Sequence, residues 1–302
     1  MIDQKKVLVI GPTFLDVQVF VQNITENQVN SNLSIGGKGY NVTQGVKLFK
    51  LPVILCTMYG AGEVGEYIAG KIKESGIESL ESNELQQTGG IFVGVHDKHG
   101  DTIFDKADTG MFESQKLEGV DFSQISTILV LSSTNDTILQ QLIKAKKDYP
   151  QINLCLEISG KKTITGVWPY LGYFDFIIAN KIETVALMKT YYDKIENFEV
   201  SLNMLSRELA CIFIATIDKD GVIVSESGKS TTLPIYFLPE PIVSTVGAGD
   251  SVTASIIALH YGYNKSLLES VEKAMIVASH TIRSKEPFLD KLPITIGSFP
   301  DM

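Results

Sequence analysis

Arginine is nearly absent from this 302-residue sequence. Two occur, Arg207 and Arg283, against 24 lysines, and the formal net charge is −9. A nucleic-acid-binding domain would carry a basic face. The densest basic stretch here, Lys144 to Lys147, reads as one solvated helix face. If an anion is bound, backbone amides, helix N-termini and a few lysines must grip it in place of arginine forks. Cysteine is scarce too. Cys56, Cys155 and Cys211 all sit in apolar runs and none forms CxxC, which fits buried thiols in a reducing cytosol. No apolar run is long enough to cross a membrane, and the apolar segment after Lys6 is too short for a signal sequence, so the expected location is cytoplasmic. The four histidines, His96, His99, His260 and His280, show neither zinc spacing nor a Ser–His–Asp order. There is no repeat, low-complexity tract or Pro/Ser-rich linker. With 44% apolar and 20% charged residues, the composition is that of a globular protein. The length fits one large domain or two small ones, with about three quarters of the unfolded surface buried.

What is present is an alternation. Short β-branched runs (Val7–Ile10, Val53–Thr57, Ile128–Leu131, Ile152–Leu156, Phe174–Ala179, Ile212–Thr216) predict strands buried on both faces. Helical patterns lie between them: Asn41–Phe49, Gly65–Ser75, Asp136–Tyr149, Lys181–Tyr191 and Phe198–Leu209. This predicts an α/β fold with a mostly parallel sheet covered by helices on both sides. Two segments break the rhythm. Asp16–Val21 and Gln28–Ile35 read as strands with no helix between them. Gly90–His96 and Asp101–Lys106 flank a turn-rich tip, Asp97 to Gly100. Together they predict a small extra sheet, a β lid over about residues 14–35 and 88–110. Two further helices are expected, Gly249–Tyr261 and Lys265–Arg283.

Four segments carry candidate chemistry. In Ser244-Thr245-Val246-Gly247-Ala248-Gly249-Asp250, small residues precede a helix, so amides converge on an anion at its N-terminus. A carboxylate beside bound phosphate needs another task, and Asp250 suits a general base toward a substrate hydroxyl. The bland alternative is a helix with an acidic first turn. Gly36-Gly37-Lys38-Gly39-Tyr40-Asn41 is a second glycine loop before a helix, without P-loop spacing. Lys38 and Asn41 offer donors to hydroxyls or an anion, or Asn41 caps the helix. Asp16, just beyond the first strand, is placed to accept two sugar hydroxyls or serves a surface turn. Asn180 and Glu183 either hold Mg²⁺ through water or form a helix-capping pair. A GxGxxG, Gly60 to Gly65, matches the dinucleotide fingerprint on paper. It does not follow the first strand, so a dehydrogenase is not the reading.

Taken together, in order and end to end, these segments resemble the ribokinase-like (PfkB) carbohydrate and nucleoside kinase family. The resemblance rests on Asp16, Gly36 to Gly39 with Asn41, Gly60 to Gly65, Asn180 with Glu183, Thr216 to Gly221, and Gly247 to Asp250. It implies a single domain over 1–302, a three-layer α/β/α core and an inserted β lid. It also implies transfer of the γ-phosphoryl group of ATP to a hydroxyl of a sugar, sugar phosphate or nucleoside. Asp250 would be the base, and Gly247, Ala248 and Gly249 the anion hole. Asp16, Gly37, Lys38 and Asn41 would bind the acceptor, Thr216 and Gly221 the ATP, and Asn180 and Glu183 the Mg²⁺. The partners implied are a small-molecule substrate and a second copy of the chain through the lid.

Three departures from the family pattern matter. Ser244 replaces the usual Asp, which argues against a monovalent-cation requirement. Asp218 replaces the usual Gly beside the nucleotide phosphates. Ser132-Ser133-Thr134 stands where ribokinases place an acid near the sugar, which argues against ribose. Ala107 to Met111 and Ser279-His280-Thr281 resemble pseudouridine kinases, an alternative substrate class. Asp218 and Ser244 also leave open a catalytically weak sugar-binding or regulatory protein on the same fold.

Overall fold

The computed structural model describes residues 5–23, 28–81, 90–97, 102–107, 117–284 and 286–297. In chain order the strands are β1 (Lys6–Ile10), β2 (Phe14–Asn23), β3 (Gln28–Gly36), β4 (Val53–Thr57), β5 (Glu78–Glu81), β6 (Ile91–His96), β7 (Thr102–Ala107), β8 (Ile125–Leu131), β9 (Asn153–Glu157), β10 (Phe176–Asn180), β11 (Ile212–Thr216), β12 (Val222–Glu226) and β13 (Lys229–Leu233). The helices are α1 (Lys38–Leu48), α2 (Gly62–Glu74), α3 (Asp136–Asp148), α4 (Ile164–Val167), α5 (Lys181–Tyr191), α6 (Phe198–Leu209), α7 (Ala248–Ile256) and α8 (Leu267–Thr281).

The larger sheet has the order β13-β12-β11-β10-β9-β8-β1-β4-β5. It is parallel except where β12 runs antiparallel to both β11 and β13. Its strands are apolar on both sides because successive side chains alternate between two helical layers. In β1, Val7 and Val9 pack with Val42 of α1, Ile68 of α2, Ile256 of α7 and Val271 of α8. Leu8 and Ile10 face the other way, onto Leu142 of α3, Val167 of α4, Leu187 of α5 and Leu205 of α6. The result is the expected three-layer α/β/α core. The chain winds outward from β1 through β4 and β5, then returns to β8 on the other side. That reversal makes a topological switch point, and ligands of open α/β sheets bind at the carboxyl ends of strands there. Among the described residues no helix is long and apolar enough to cross a membrane.

The second sheet has the order β3-β2-β6-β7. Its pairing register puts Leu33 opposite Val17 and Val17 opposite Val93, all on one face. Asp16, Ser34, Gln18 and Asn32 lie on the other face. One face is therefore apolar and the other mostly polar, with Phe20 and Phe92 among its polar residues, and Asp16 lies on the mixed face. The His96 ring donates to Gln18 Oε1 at 2.6 Å across the polar face. Of the expected lid tip, residues 98–101 lie outside the described residues, as do 88–89 and 108–110 at the lid's ends and most of the Ala107 to Met111 segment.

Several boundaries differ from expectation. The helix expected over Gly249–Tyr261 is α-helical only to Ile256. A π-helical turn follows at Ile257–Gly262, with Tyr263 N–H reaching Ala258 O five residues back. The helix expected from Asn41 begins at Lys38, and β9 and β10 each end one residue later than expected. Strands β5, β12 and β13 carry no expected counterpart. β5 and β13 are edge strands, and Lys-Ser-Thr-Thr-Leu in β13 has the polar character that edges favour.

Candidate active site

The glycine loop comes together with the turn after β1 because Gly39 and Gly11 face each other without side chains. Gly39 N–H donates to Pro12 O at 3.0 Å, and a Cβ on Gly39 would lie 2.6 Å from the carbonyl of Gly11. A Cβ on Gly36 would lie 2.1 Å from Asp16 Oδ2. The loop's glycines thus let α1 dock on the β1 turn and admit the Asp16 carboxylate. Asp16 is buried, and its Oδ1 has no hydrogen-bond partner. Burial, reinforced by the negative charge of Asp250, pushes its carboxyl up to about 7.

Asp250 lies in the first turn of α7 and is buried. Its Oδ2 accepts from Asn41 Nδ2 at 2.8 Å. Lys38 Nζ stands 3.7 Å from its Oδ1 and 2.6 Å from Oε1 of Glu157. Burial raises the Asp250 carboxyl, Lys38 pulls it back, and it settles at about 6. Burial disfavours the Lys38 ammonium, but Glu157 and Asp250 outweigh that and hold it cationic well above the usual lysine range. Glu157 is 3% exposed, and its Oε2 has no partner. Sequence reasoning missed this residue, because the expected strand stopped at Leu156. The available signal was an acid closing an otherwise apolar strand, Leu154-Cys155-Leu156-Glu157, at its carboxyl end.

Side-chain caps close four of the α-helices, and α1, α2, α4 and α7 lack one. Asn135, Asn180, Asn197 and Ser266 side chains cap α3, α5, α6 and α8. α1 and α7 start instead on glycines, Gly37 at φ 89° and Gly247 at φ 82°, without a side-chain cap. First-turn amides have no intrahelical partner, so an uncapped N-terminus presents them to a ligand. Above Gly249 the space is open, with no atom within 4 Å of where its Cβ would stand. Gly247, Ala248 and Gly249 therefore form a bare helix start beside the buried Asp250.

The remaining candidates gather further along the same sheet edge. Asn180 pairs with Thr216 in register, and Thr216 with Val222. Asn180 and Glu183 form a reciprocal capping box. Asn180 Oδ1 accepts from Glu183 N–H at 2.9 Å, and Glu183 Oε2 accepts from Asn180 N–H at 3.0 Å. Glu183 Oε1 accepts from Gly160 N–H at 2.7 Å. The negative charge of Glu183 reaches Lys38, which links this cluster to the Asp250 cluster. Gly221, at φ 99°, has no room for a Cβ, which would lie 2.1 Å from Leu233 O. Asp218 is exposed and holds φ 51°, in the left-handed region that favours glycine. Ser244 Oγ accepts from Val246 N–H at 3.2 Å.

Neither arginine lies in this constellation. Arg283 donates to the carbonyls of Leu238, Glu240 and Ser279, pinning the segment before α7 against α8. Arg207 stands in the last turn of α6.

Among solved structures, the chain resembles a carbohydrate kinase from Agrobacterium tumefaciens (17% identity, TM-score 0.77, covering 98% of both chains). It also resembles ribokinase from Cryptococcus neoformans in complex with ADP (17%, 0.78, 97% of this chain and 98% of that one). A third is adenosine kinase from Sinorhizobium meliloti (16%, 0.74, 96% and 97%). At these identities the likeness is one of fold. No match emerges among curated protein sequences. The model of the pfkB carbohydrate kinases, however, matches residues 4–293, nearly the whole sequence. The chain belongs to the pfkB family of carbohydrate kinases, phosphotransferases with an alcohol group as acceptor.

Proposed function

We propose that the protein transfers the γ-phosphoryl group of ATP to a hydroxyl of a sugar, sugar phosphate or nucleoside, with Asp250 as general base. The observation that carries this is the buried Asp250 at the bare N-terminus of α7, oriented by Asn41 and held near Lys38. Asn41 occupies Oδ2, so Oδ1 is the atom that takes the hydroxyl proton. The freed oxygen attacks the γ-phosphorus, the bond to the bridging oxygen breaks, and ADP leaves. Amides of Gly247, Ala248 and Gly249 balance the phosphoryl charge, work that is mostly positioning and electrostatics. Asp16, Gly37, Lys38 and Asn41 take the acceptor. Thr216 and Gly221 border the nucleotide, and nucleotide use itself is supported by the ADP named with the Cryptococcus ribokinase. Asn180 and Glu183 fit Mg²⁺ held through water, since each Glu183 oxygen accepts only one backbone N–H and keeps a lone pair. When bound, the metal supplies charge neutralisation at the phosphates. A phosphoryl-transfer screen over sugars, sugar phosphates and nucleosides tests the reading. No transfer to any of them would favour the sugar-binding alternative that Asp218 and Ser244 motivate.

Asp218 bears on nucleotide affinity. At about 5 Å, two like charges cost about 3 kcal/mol at an effective dielectric near 20. Its exposure lets solvent screen much of that, and its backbone already has a glycine's conformation. Asp218→Gly should therefore fold unchanged and bind Mg-ATP a few-fold more tightly. Identical affinities in calorimetry would show that the carboxylate points away from the phosphates.

A second copy of the chain is the proposed partner, through the apolar face of the lid. Val29 and Leu33 on that face are 58% and 61% exposed, and Phe104 on β7 continues the row. Dimeric mass in light scattering, reverting to monomer in Leu33→Asp, is the expected result. A monomeric wild-type protein would remove the proposal.

A further inference from the structure

Three of the unsatisfied buried polar atoms around the acceptor site can only accept. Asp16 Oδ1, Asn41 Oδ1 and Glu157 Oε2 have no partner, and all three are acceptors. The orientation of Asn41 is fixed by chemistry: its Nδ2 must face Asp250, which only accepts when ionised, so its oxygen faces away. Buried acceptors without donors are costly, and such atoms require a partner. Apart from the first-turn amides of α1 and α7, the latter assigned to the transferred phosphoryl group, the described site offers few donors. Lys38 is engaged by Glu157 and Asp250. On the polar face of the lid the described residues are Asp16, Gln18, Asn32, Ser34 and His96 among others, without Lys or Arg. Lys106 pairs with Val93 and so lies on the opposite, apolar face.

Three carboxylates, Asp16, Glu157 and Asp250, thus stand against one ammonium. Such a pocket suits a ligand rich in hydroxyl donors and repels one bearing a phosphate. We propose that Glu157 is a specificity-determining residue. Its free carboxylate oxygen, with Asp16 and Asn41, selects an uncharged acceptor carrying at least three hydroxyl donors over the phosphorylated form of the same molecule. This deepens the kinase reading and rests on it for the identity of the acceptor pocket.

The test compares ligands in pairs on the full chain by calorimetry: ribose and ribose 5-phosphate, fructose and fructose 6-phosphate, uridine and uridine 5′-monophosphate. In at least one pair the unphosphorylated member is expected to bind, and to bind more tightly by about tenfold or more. Glu157→Gln, which puts a donor where an acceptor is needed, should weaken that ligand about tenfold or more and narrow the ratio within the pair. Glu157→Asp, which keeps the charge, should lose less. A merely structural role would lower both members alike. The proposal is overturned if a phosphorylated member binds more tightly than its partner. It is also overturned if no unphosphorylated member binds at about 10 mM, or if Glu157→Gln leaves the ratio unchanged. Should Glu157→Gln not fold, the wild-type pairs and Glu157→Asp still decide. Binding of a non-hydrolysable ATP analogue with Mg²⁺ is measured alongside. Its absence would sink the kinase reading by itself, whereas its presence with a preference for phosphorylated ligands would sink only the specificity.

Discussion

Asp250→Asn is expected to lower phosphoryl transfer by roughly 10²–10⁴-fold, the usual contribution of a general base, with fold and ATP binding retained. Asn is isosteric, and its oxygen can still accept from Asn41 Nδ2, so the start of α7 keeps its contacts. The other side-chain atom then becomes an amide nitrogen, which cannot take a proton and faces Lys38 across what was a 3.7 Å ion pair. The pH dependence follows from the same environment. The base must be ionised, and burial sets its carboxyl at about 6, so wild-type turnover should fall as pH drops through that value. Wild-type turnover in purified Asp250→Asn would remove the residue from the base role.

Asp16→Asn should do two opposite things. The Asp16 carboxyl stands at about 7 in the folded protein, mainly because it is buried, against 3.8 in the unfolded chain. Between those values the folded state holds more protons than the unfolded one, so stability falls as pH rises. Above about pH 7 the whole cost is present, on the order of a few kcal/mol. Asn carries no charge to bury. The variant should therefore melt roughly 5–10 °C above wild type at pH 8, with the gap closing as pH falls toward 4. At the same time it loses the carboxylate proposed to accept two acceptor hydroxyls, and acceptor affinity should drop by about a hundredfold. Differential scanning calorimetry of the ligand-free proteins at several pH values checks the first effect. Equal melting temperatures at pH 8 would show that Asp16 is not an uncompensated buried charge.

The parallel strands were legible because each is a short, continuous apolar run, the pattern of a strand covered on both faces. The edge strands were not. Glu-Ser-Leu-Glu in β5 and Lys-Ser-Thr-Thr-Leu in β13 are too polar for that pattern, and pairing with a neighbour decides them. The candidate site was legible where glycines adjoin a polar or charged residue at an element boundary, as at Gly36 to Asn41 and Gly247 to Asp250. Asn180 and Glu183 show why sequence alone left two readings. Their spacing satisfies a capping box, which the structure contains, and a box of that kind can also face a ligand. Glu157 escaped because its meaning lies in a partner more than a hundred residues away. Only the fold brings Lys38 Nζ to it.

The anion grip proposed at α7 would be made of main chain, and this would decide where the protein is vulnerable to mutation. A site built on arginine forks can be disabled by trimming a side chain and rebuilt by adding one elsewhere. Backbone amides are removed only by substitution with proline, so other exchanges around them should be widely tolerated wherever the chain path survives. That path hangs on Gly247, whose Cβ would lie 1.9 Å from Pro287 O and whose φ of 82° few other residues adopt. In a saturation library, loss of function in this segment should concentrate on Gly247 and Asp250, while Gly249, open to space, accepts small replacements. Such a profile would mark a protein that reads phosphate with its conformation rather than with its side-chain inventory.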